Sequence, residues 1–358
     1  MKRKTKKVLS VIVLAVYLLF LYFMLDYTTD HPLWVLISAF ASIVFMIATH
    51  ELGHLIFGLL TGYQFISYRI FSFTLLKENG KFRFCRMSIP GTGGQCLMAP
   101  PKKKDGKYPY VLYNLGGILF CGILSLIPIA LSFLFLDSQP LGMCLFIFGF
   151  ISFVMNLLNA IPTNGKSMIN DATNLRMAIN SAAARNALWN QLSYCALRSQ
   201  NIRTADMPEE LFFLPEKKDL CNPLLAWQAT AVIEREEDLG NYAKAREYVH
   251  LVLNHAPFLH PLYEGSLQSE AVFLDCFLNC ASENTDVFYE KITKNNFIQN
   301  TASFHRAAYV YFTRYKKETE KAQQALNGLQ KAMKKIPLPA DLAFEKRQLT
   351  HILTEESL

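Results

Sequence analysis

Thr49-His50-Glu51-Leu52-Gly53-His54-Leu55 lies inside a run from Leu33 to Leu60 that carries no other ionisable residue. At 1.5 Å per residue that run makes about 42 Å of helix, longer than a ~30 Å hydrocarbon core. Three ionisable groups within about one turn of a membrane-spanning helix cost several kcal/mol unless they have partners and a task. Histidines at i and i+4 share one face of a helix, so the imidazoles of His50 and His54 converge on a single ion. Glu51 follows the first of them and is placed to take a proton from water, whose pKa zinc lowers towards neutrality. The same pattern arises by chance or as satisfied core histidines, but its setting in a spanning helix selects the metal reading.

Working outward, three further apolar runs accompany this one. Val8 to Leu25 has no charge and follows Lys2, Arg3, Lys4, Lys6 and Lys7, which suits a transmembrane helix. A signal peptide would have a shorter apolar core and a small-residue cleavage site, and Phe23-Met24-Leu25-Asp26 offers none. Tyr110 to Leu136 and Leu141 to Ile161 complete about four crossings, which put both termini on one side. Lys102, Lys103, Lys104 and Lys107 then share the cytoplasmic side with the N-terminus, while the opposite loops carry Asp26, Asp30 and Asp137. His50 falls in the cytoplasmic third of its helix, where water can reach it through a cavity.

Two histidines do not complete a catalytic zinc site, which usually has three protein ligands and a water. The best candidate for the third is Asp171, in Asn159-Ala160-Ile161-Pro162-Thr163-Asn164-Gly165-Lys166-Ser167-Met168-Ile169-Asn170-Asp171-Ala172. Pro162 ends the last apolar helix and Asn164-Gly165 turns the chain back towards it. Asp171 also reads as the N-cap of a following helix, and the two roles can coexist. Asn156 and Asn159, at i and i+3 on the apolar helix, either order the site, bond a substrate backbone, or glue helices together.

The remaining composition separates two parts. Residues 1–180 hold the apolar runs, and 181–358 are rich in Lys, Glu, Gln and Ala with amphipathic spacing, as two domains of a 358-residue chain would be. The net charge of +7 comes from lysines flanking the apolar runs, without the interleaved aromatics of a nucleic-acid surface. Eight scattered cysteines suit free thiols, and Cys276 and Cys280 pack one helix face. The helical stretches Ser266 to Cys280, Asp286 to Thr293, Thr301 to Tyr315 and Glu318 to Ile336, with Gly240, Pro257, Pro261 and Pro337 as punctuation, read either as degenerate tetratricopeptide-like (TPR-like) repeats or as a helical bundle. The expected fold is therefore an all-α polytopic membrane protein with a small β-hairpin or sheet insertion, followed by a helical soluble domain that can bind a protein partner.

With these residues in view, positions 30 to 180 resemble the site-2 protease family of intramembrane zinc metalloproteases. The likeness rests on His50-Glu51-Leu52-Gly53-His54 in an apolar helix and on an Asn-rich helix leading through Ile161-Pro162 to an acidic ligand. Gly94-Gln95-Cys96-Leu97-Met98 and Tyr113-Asn114-Leu115-Gly116-Gly117 look like a branch found in Firmicutes-type bacteria. The resemblance implies a bacterial plasma-membrane enzyme in which His50, His54 and Asp171 bind Zn2+ and Glu51 is the general base. It implies hydrolysis in or near transmembrane segments of single-span membrane proteins, or of signal and pheromone peptides. The alternative is a catalytically inactive zinc-binding scaffold working through its C-terminal domain. The chain departs from the family at Ala172, where Gly usually follows the acidic ligand, at Asn164-Gly165 in place of Asp-Gly, and at Cys121 in place of an asparagine.

Residues 63–101 are too polar to cross a bilayer. Phe65 to Thr74 has strand composition, and Lys77-Glu78-Asn79-Gly80-Lys81 turns the chain before Phe82-Arg83-Phe84, so a hairpin is expected at the cytoplasmic face. Site-2 proteases have a comparable sheet, whose edge can pair with an unwound substrate. Gly91, Gly93 and Gly94 read as a flexible or closely packed loop.

Overall fold

The structure, a computed structural model, describes residues 31–78, 80–87, 91–135 and 140–356. The anchor expected over Val8 to Leu25, the turn residue Asn79, and Asp26, Asp30 and Asp137 lie outside those residues. The described chain is mostly helical with one small antiparallel sheet. Among the described residues three helices are long and apolar enough to cross a membrane. These are α1 (Pro32–Leu60), α2 (Tyr110–Ser132, continued by the 3-10 turn Phe133–Phe135) and α3 (Leu141–Asn159). Pro32 opens α1, where its missing N–H leaves no bond unmade. Leu36 and Phe40 stand 67% and 69% exposed on α1, a surface that suits lipid rather than water.

By packing, the chain divides into two compact units: Met1–His50 with Ile118–Leu158, and Glu51–Gly117 with Asn159–Leu358. In the first, small residues let apolar helices approach closely. A Cβ on Gly149 would sit 2.7 Å from the carbonyl oxygen of Ser125, and the rings of Phe45 and Phe148 meet at 4.8 Å. Ser152 turns its hydroxyl to the carbonyls of Phe148 and Ser42, at 2.7 and 3.2 Å, so its burial leaves no bond unmade. Cys121 is fully buried here, its thiol 3.7 Å from the Met46 carbonyl.

The second unit begins with the last turns of α1 and a four-stranded sheet, β1 (Gln64–Ile70), β2 (Phe73–Glu78), β3 (Lys81–Arg86) and β4 (Gly94–Ala99), in the order β3-β2-β1-β4. The expected hairpin is larger than its sequence suggested. Phe65 to Thr74 is two strands, broken where Phe71 takes a left-handed φ of 52°, which forces a turn that no glycine signals. The second turn comes at Gly80, φ 78°, as expected. Gly94 belongs not to a loop but to β4, which pairs with β1 from Gln64↔Ala99 to Ile70↔Gly94. Met98 packs where Gly58 leaves room, since a Cβ there would overlap its sulfur.

Nine α-helices follow among the described residues: α4 (Asp171–Asn180), α5 (Ala182–Ser199), α6 (Pro223–Asp238), α7 (Tyr242–His255), α8 (Pro261–Phe277), α9 (Glu283–Thr293), α10 (Ala302–Val310), α11 (Thr319–Met333) and α12 (Pro339–Glu356). Gly240, at φ 82°, separates α6 from α7 as its position suggested. The helix expected from Ser266 begins earlier, at Pro261, because His260 caps it by accepting the Leu262 N–H at 3.2 Å. Consecutive helices pack on one another from α6 to α9, and their shared core contains Phe273, Leu274, Ile292 and Val310. That burial is the main stabilising term of such a helical stack.

Candidate metal centre

His50 and His54 are 6% and 5% exposed, one helical turn apart on α1. The polar neighbours of each ring determine which nitrogen carries the proton. His50 Nδ1 lies 3.0 Å from Asn156 Oδ1. Asn156 is itself 1% exposed, and its Nδ2 donates to the Ile118 carbonyl at 2.8 Å, so Oδ1 is left to accept and His50 Nδ1 must donate. His54 Nδ1 lies 2.7 Å from the Tyr113 carbonyl, which only accepts, so this Nδ1 also bears the hydrogen. Both imidazoles, when neutral, therefore keep a lone pair on Nε2, the arrangement that metal-ligating histidines take.

Asp171 completes the cluster. Its Oδ2 lies 3.2 Å from His54 Nε2. Asp171 is the first residue of α4, and the capping expected of it falls instead to Asn170, whose Oδ1 accepts the Thr173 N–H at 3.0 Å. Asn170 also donates to the carbonyls of Asn159 and Ile161, at 3.1 and 2.8 Å, which ties the start of α4 to the end of the last apolar helix. A carboxylate in the first turn is further favoured by the helix dipole. Asn164 is exposed in the turn at Gly165, φ 67°.

His50, His54 and Asp171 offer one ligand atom each, all within 4.8 Å of one another. Ligand atoms ~2.1 Å from a tetrahedral ion stand about 3.4 Å apart. The His54–Asp171 separation of 3.2 Å already matches that edge. A neutral His54 has its one hydrogen on Nδ1, so its Nε2 and Asp171 Oδ2 face each other as two acceptors that a cation would bridge, whereas a protonated His54 pairs with the carboxylate directly. Two imidazole nitrogens and a carboxylate are a donor set for a divalent cation, and among the described residues this is the group of His, Cys, Asp and Glu side chains close enough to hold one.

Glu51, half-buried, follows His50 on α1. Its charge reaches the sheet: burial raises the pKa of the Tyr68 hydroxyl and the Cys96 thiol, and Glu51 raises both further. Burial lowers Arg69, and Glu51 opposes that shift. Arg69 is 1% exposed and ties the β1–β2 turn to the start of β4, its Nη1 donating to the Phe71 carbonyl at 2.6 Å and its Nη2 to the Gly94 carbonyl at 3.0 Å.

One contributor has no counterpart in the sequence-based expectations. The Tyr113 carbonyl reaches His54 because α1 and α2 nearly touch at Gly53 and Gly116, where a Cβ on Gly116 would lie 2.7 Å from the Gly53 carbonyl oxygen. The signal was present in the Gly of His50-Glu51-Leu52-Gly53-His54 and in Gly116-Gly117, but their pairing is not a local property. Asn156 holds His50, one of the roles open to it, whereas Asn159 contributes only its backbone carbonyl to Asn170. Comparison with protein-family models, with curated proteins and with solved structures gives no match for this chain.

Proposed function

We propose that this protein is an intramembrane zinc metalloprotease of the site-2 protease kind, hydrolysing peptide bonds in or near the membrane-spanning segments of single-span proteins or peptides. One observation carries the reading: two imidazoles one turn apart on an apolar helix, each with Nδ1 committed to a protein acceptor, offer ligand atoms within 4.8 Å of the half-buried Asp171 carboxylate, with Glu51 alongside. Such a triplet is tolerated in lipid when a cation ties it together.

In this reading His50, His54 and Asp171 hold zinc, and Asn156 and the Tyr113 carbonyl keep the two rings aligned. Zinc, when bound, supplies the Lewis acidity that makes water nucleophilic near neutral pH and polarises the scissile carbonyl. Glu51 takes the proton from that water and returns it to the leaving amine. A substrate helix hides its carbonyls in intrahelical bonds, so it unwinds locally before attack, and the sheet beside Glu51 offers main-chain partners for the unwound segment.

The proposal includes a fourth crossing over Val8 to Leu25, both termini in the cytoplasm of a bacterial cell, and a TPR-like C-terminal domain that engages a protein partner. The test is Glu51→Gln in the full chain, with a single-span reporter whose apolar segment contains a helix breaker. Retained zinc and folding with lost cleavage is the expected result. Undiminished cleavage would remove Glu51 from the mechanism, and zinc-loaded wild-type protein that cleaves no reporter would leave the zinc-binding scaffold as the better reading.

A further inference from the structure

A cleft of about 470 Å³, its open mouth included, lies beside the segment that delivers Asp171. One wall is 167–169, ending two residues before Asp171, and the facing wall includes Trp227 of α6 and Phe258, His260 and Tyr263 at the start of α8. The lining contains no Lys, Arg, Asp or Glu. Trp227 Nε1–H and the Tyr263 hydroxyl have no hydrogen-bond partner among the described residues, so they add polar contacts to a mainly aromatic wall. An occupant that suits this chemistry is uncharged, has an apolar body, and carries an acceptor such as a peptide carbonyl. The aromatic surface also continues past the mouth: Phe258 is 48% exposed, and Phe297, whose ring is 5.3 Å from His260, is 39% exposed. An occupant covering that surface extends beyond the cleft, as a peptide does and a free small molecule does not.

The 167–169 wall is a short bridge pinned at both ends. Lys166 Nζ pairs with Glu264 Oε2 of α8 at 2.5 Å, and Asn170 holds the carbonyls that close the last apolar helix. Met168, inside the bridge, also stands near Gly91 of the β3–β4 connection, its Cε 3.7 Å from where a Cβ would be. A side chain entering the cleft therefore presses on Ser167 and Met168, and the bridge passes that pressure to Asn170, the residue before Asp171.

We propose that this cleft binds an apolar side chain presented by an uncharged stretch of a partner peptide, and that its occupancy changes metal affinity through Asp171. The coupling half rests on the metal reading of His50, His54 and Asp171; the binding half does not. Linkage makes the effect mutual, so metal must alter peptide affinity by the same factor.

The test uses the full chain in detergent with Trp34→Phe and Trp189→Phe, leaving Trp227 as the reporter. N-acetylleucinamide and acetyl-Ala-Leu-Ala-amide are the probes, and N-acetylglutamate is the charged control. The expected result is saturable change in Trp227 emission, tighter for the tripeptide, absent for the control, and at least tenfold weaker in Ser167→Phe, an exposed position where a ring fills the mouth without disturbing the core. Unsaturable binding, or equal binding by Ser167→Phe, overturns the site, and equal affinity for the two probes overturns the peptide as occupant. Cobalt affinity, from chelator competition, is expected to shift at least threefold at saturating tripeptide. No shift overturns the coupling alone, whereas cobalt affinity that survives His54→Ala overturns the metal reading and leaves the binding half to stand or fall on fluorescence.

Discussion

His54 and His250 each turn Nε2 to a carboxylate, at 3.2 Å from Asp171 and 2.9 Å from Asp275, yet the two pairs do different things. Asp275 also receives Arg246 Nε at 2.5 Å and the Thr285 hydroxyl at 2.9 Å. Its charge is met by a guanidinium, which cannot ligate a metal. At Asp171 the further neighbour is a second imidazole, His50, whose Nδ1 is committed to Asn156. The helical C-terminal segment repeats the first pattern: Arg306, 1% exposed, bonds Glu270 at 2.8 Å and Glu345 at 3.0 Å, and Asp238 takes Arg203 and Arg347. A buried ion pair is thus no sign of a site by itself. What marks one is a set of lone pairs aimed at a common point in surroundings that cannot solvate them.

That contrast breaks or sharpens under mutation, most strongly at Glu51. Glu51→Gln is expected to lower cleavage by about 10²–10⁴-fold, the range for losing a general base, with the thermal midpoint unchanged. Equal loss of folding would place Glu51 with the structural carboxylates instead. Asp275→Asn should do the opposite, costing about 3 kcal/mol, more than a hundredfold in the folding equilibrium, by stripping Arg246 and His250 of their partner while metal content holds. Asn156→Leu keeps the volume of an apolar helix but frees the His50 ring, and should weaken metal binding about 10–100-fold in chelator competition.

The smallest effect is in acid. Burial pushes the Asp275 carboxyl up, but hydrogen bonds from His250, Arg246 and Thr285 outweigh it and hold the pKa below its ordinary value. A depressed folded-state pKa stabilises the fold above the unfolded pKa and loses that contribution as pH falls through the folded value. The melting temperature should therefore drop as pH falls below about 4, and Asp275→Asn should flatten that slope. A slope unchanged in the variant would assign the acid lability elsewhere.

How much of this could be read in the sequence follows from the range of each interaction. The three apolar helices, Gly240 as a helix stop and the His50–His54 pairing are encoded within a few residues, by run length, backbone freedom and helical period. Asp171 was reachable because the chain must turn after Pro162 and an acid waits at the next helix start. Its neighbour Asn170 took the cap because it alone reaches both Thr173 and the end of α3, a choice that depends on the folded turn. The break at Phe71 was hidden because nothing local demands a left-handed phenylalanine; Arg69, reaching across to its carbonyl and to Thr92, holds the turn. Asn156 and the Tyr113 carbonyl meet their histidines across 106 and 59 residues, beyond any local pattern.

The most direct measurement is metal analysis of purified wild-type protein beside His54→Ala and Asp171→Ala. One zinc per chain in the wild type, with loss from both variants at preserved helix content, is the predicted result. Metal-free wild-type protein that still cleaves a membrane-spanning reporter, or full zinc retention by both variants, would contradict it.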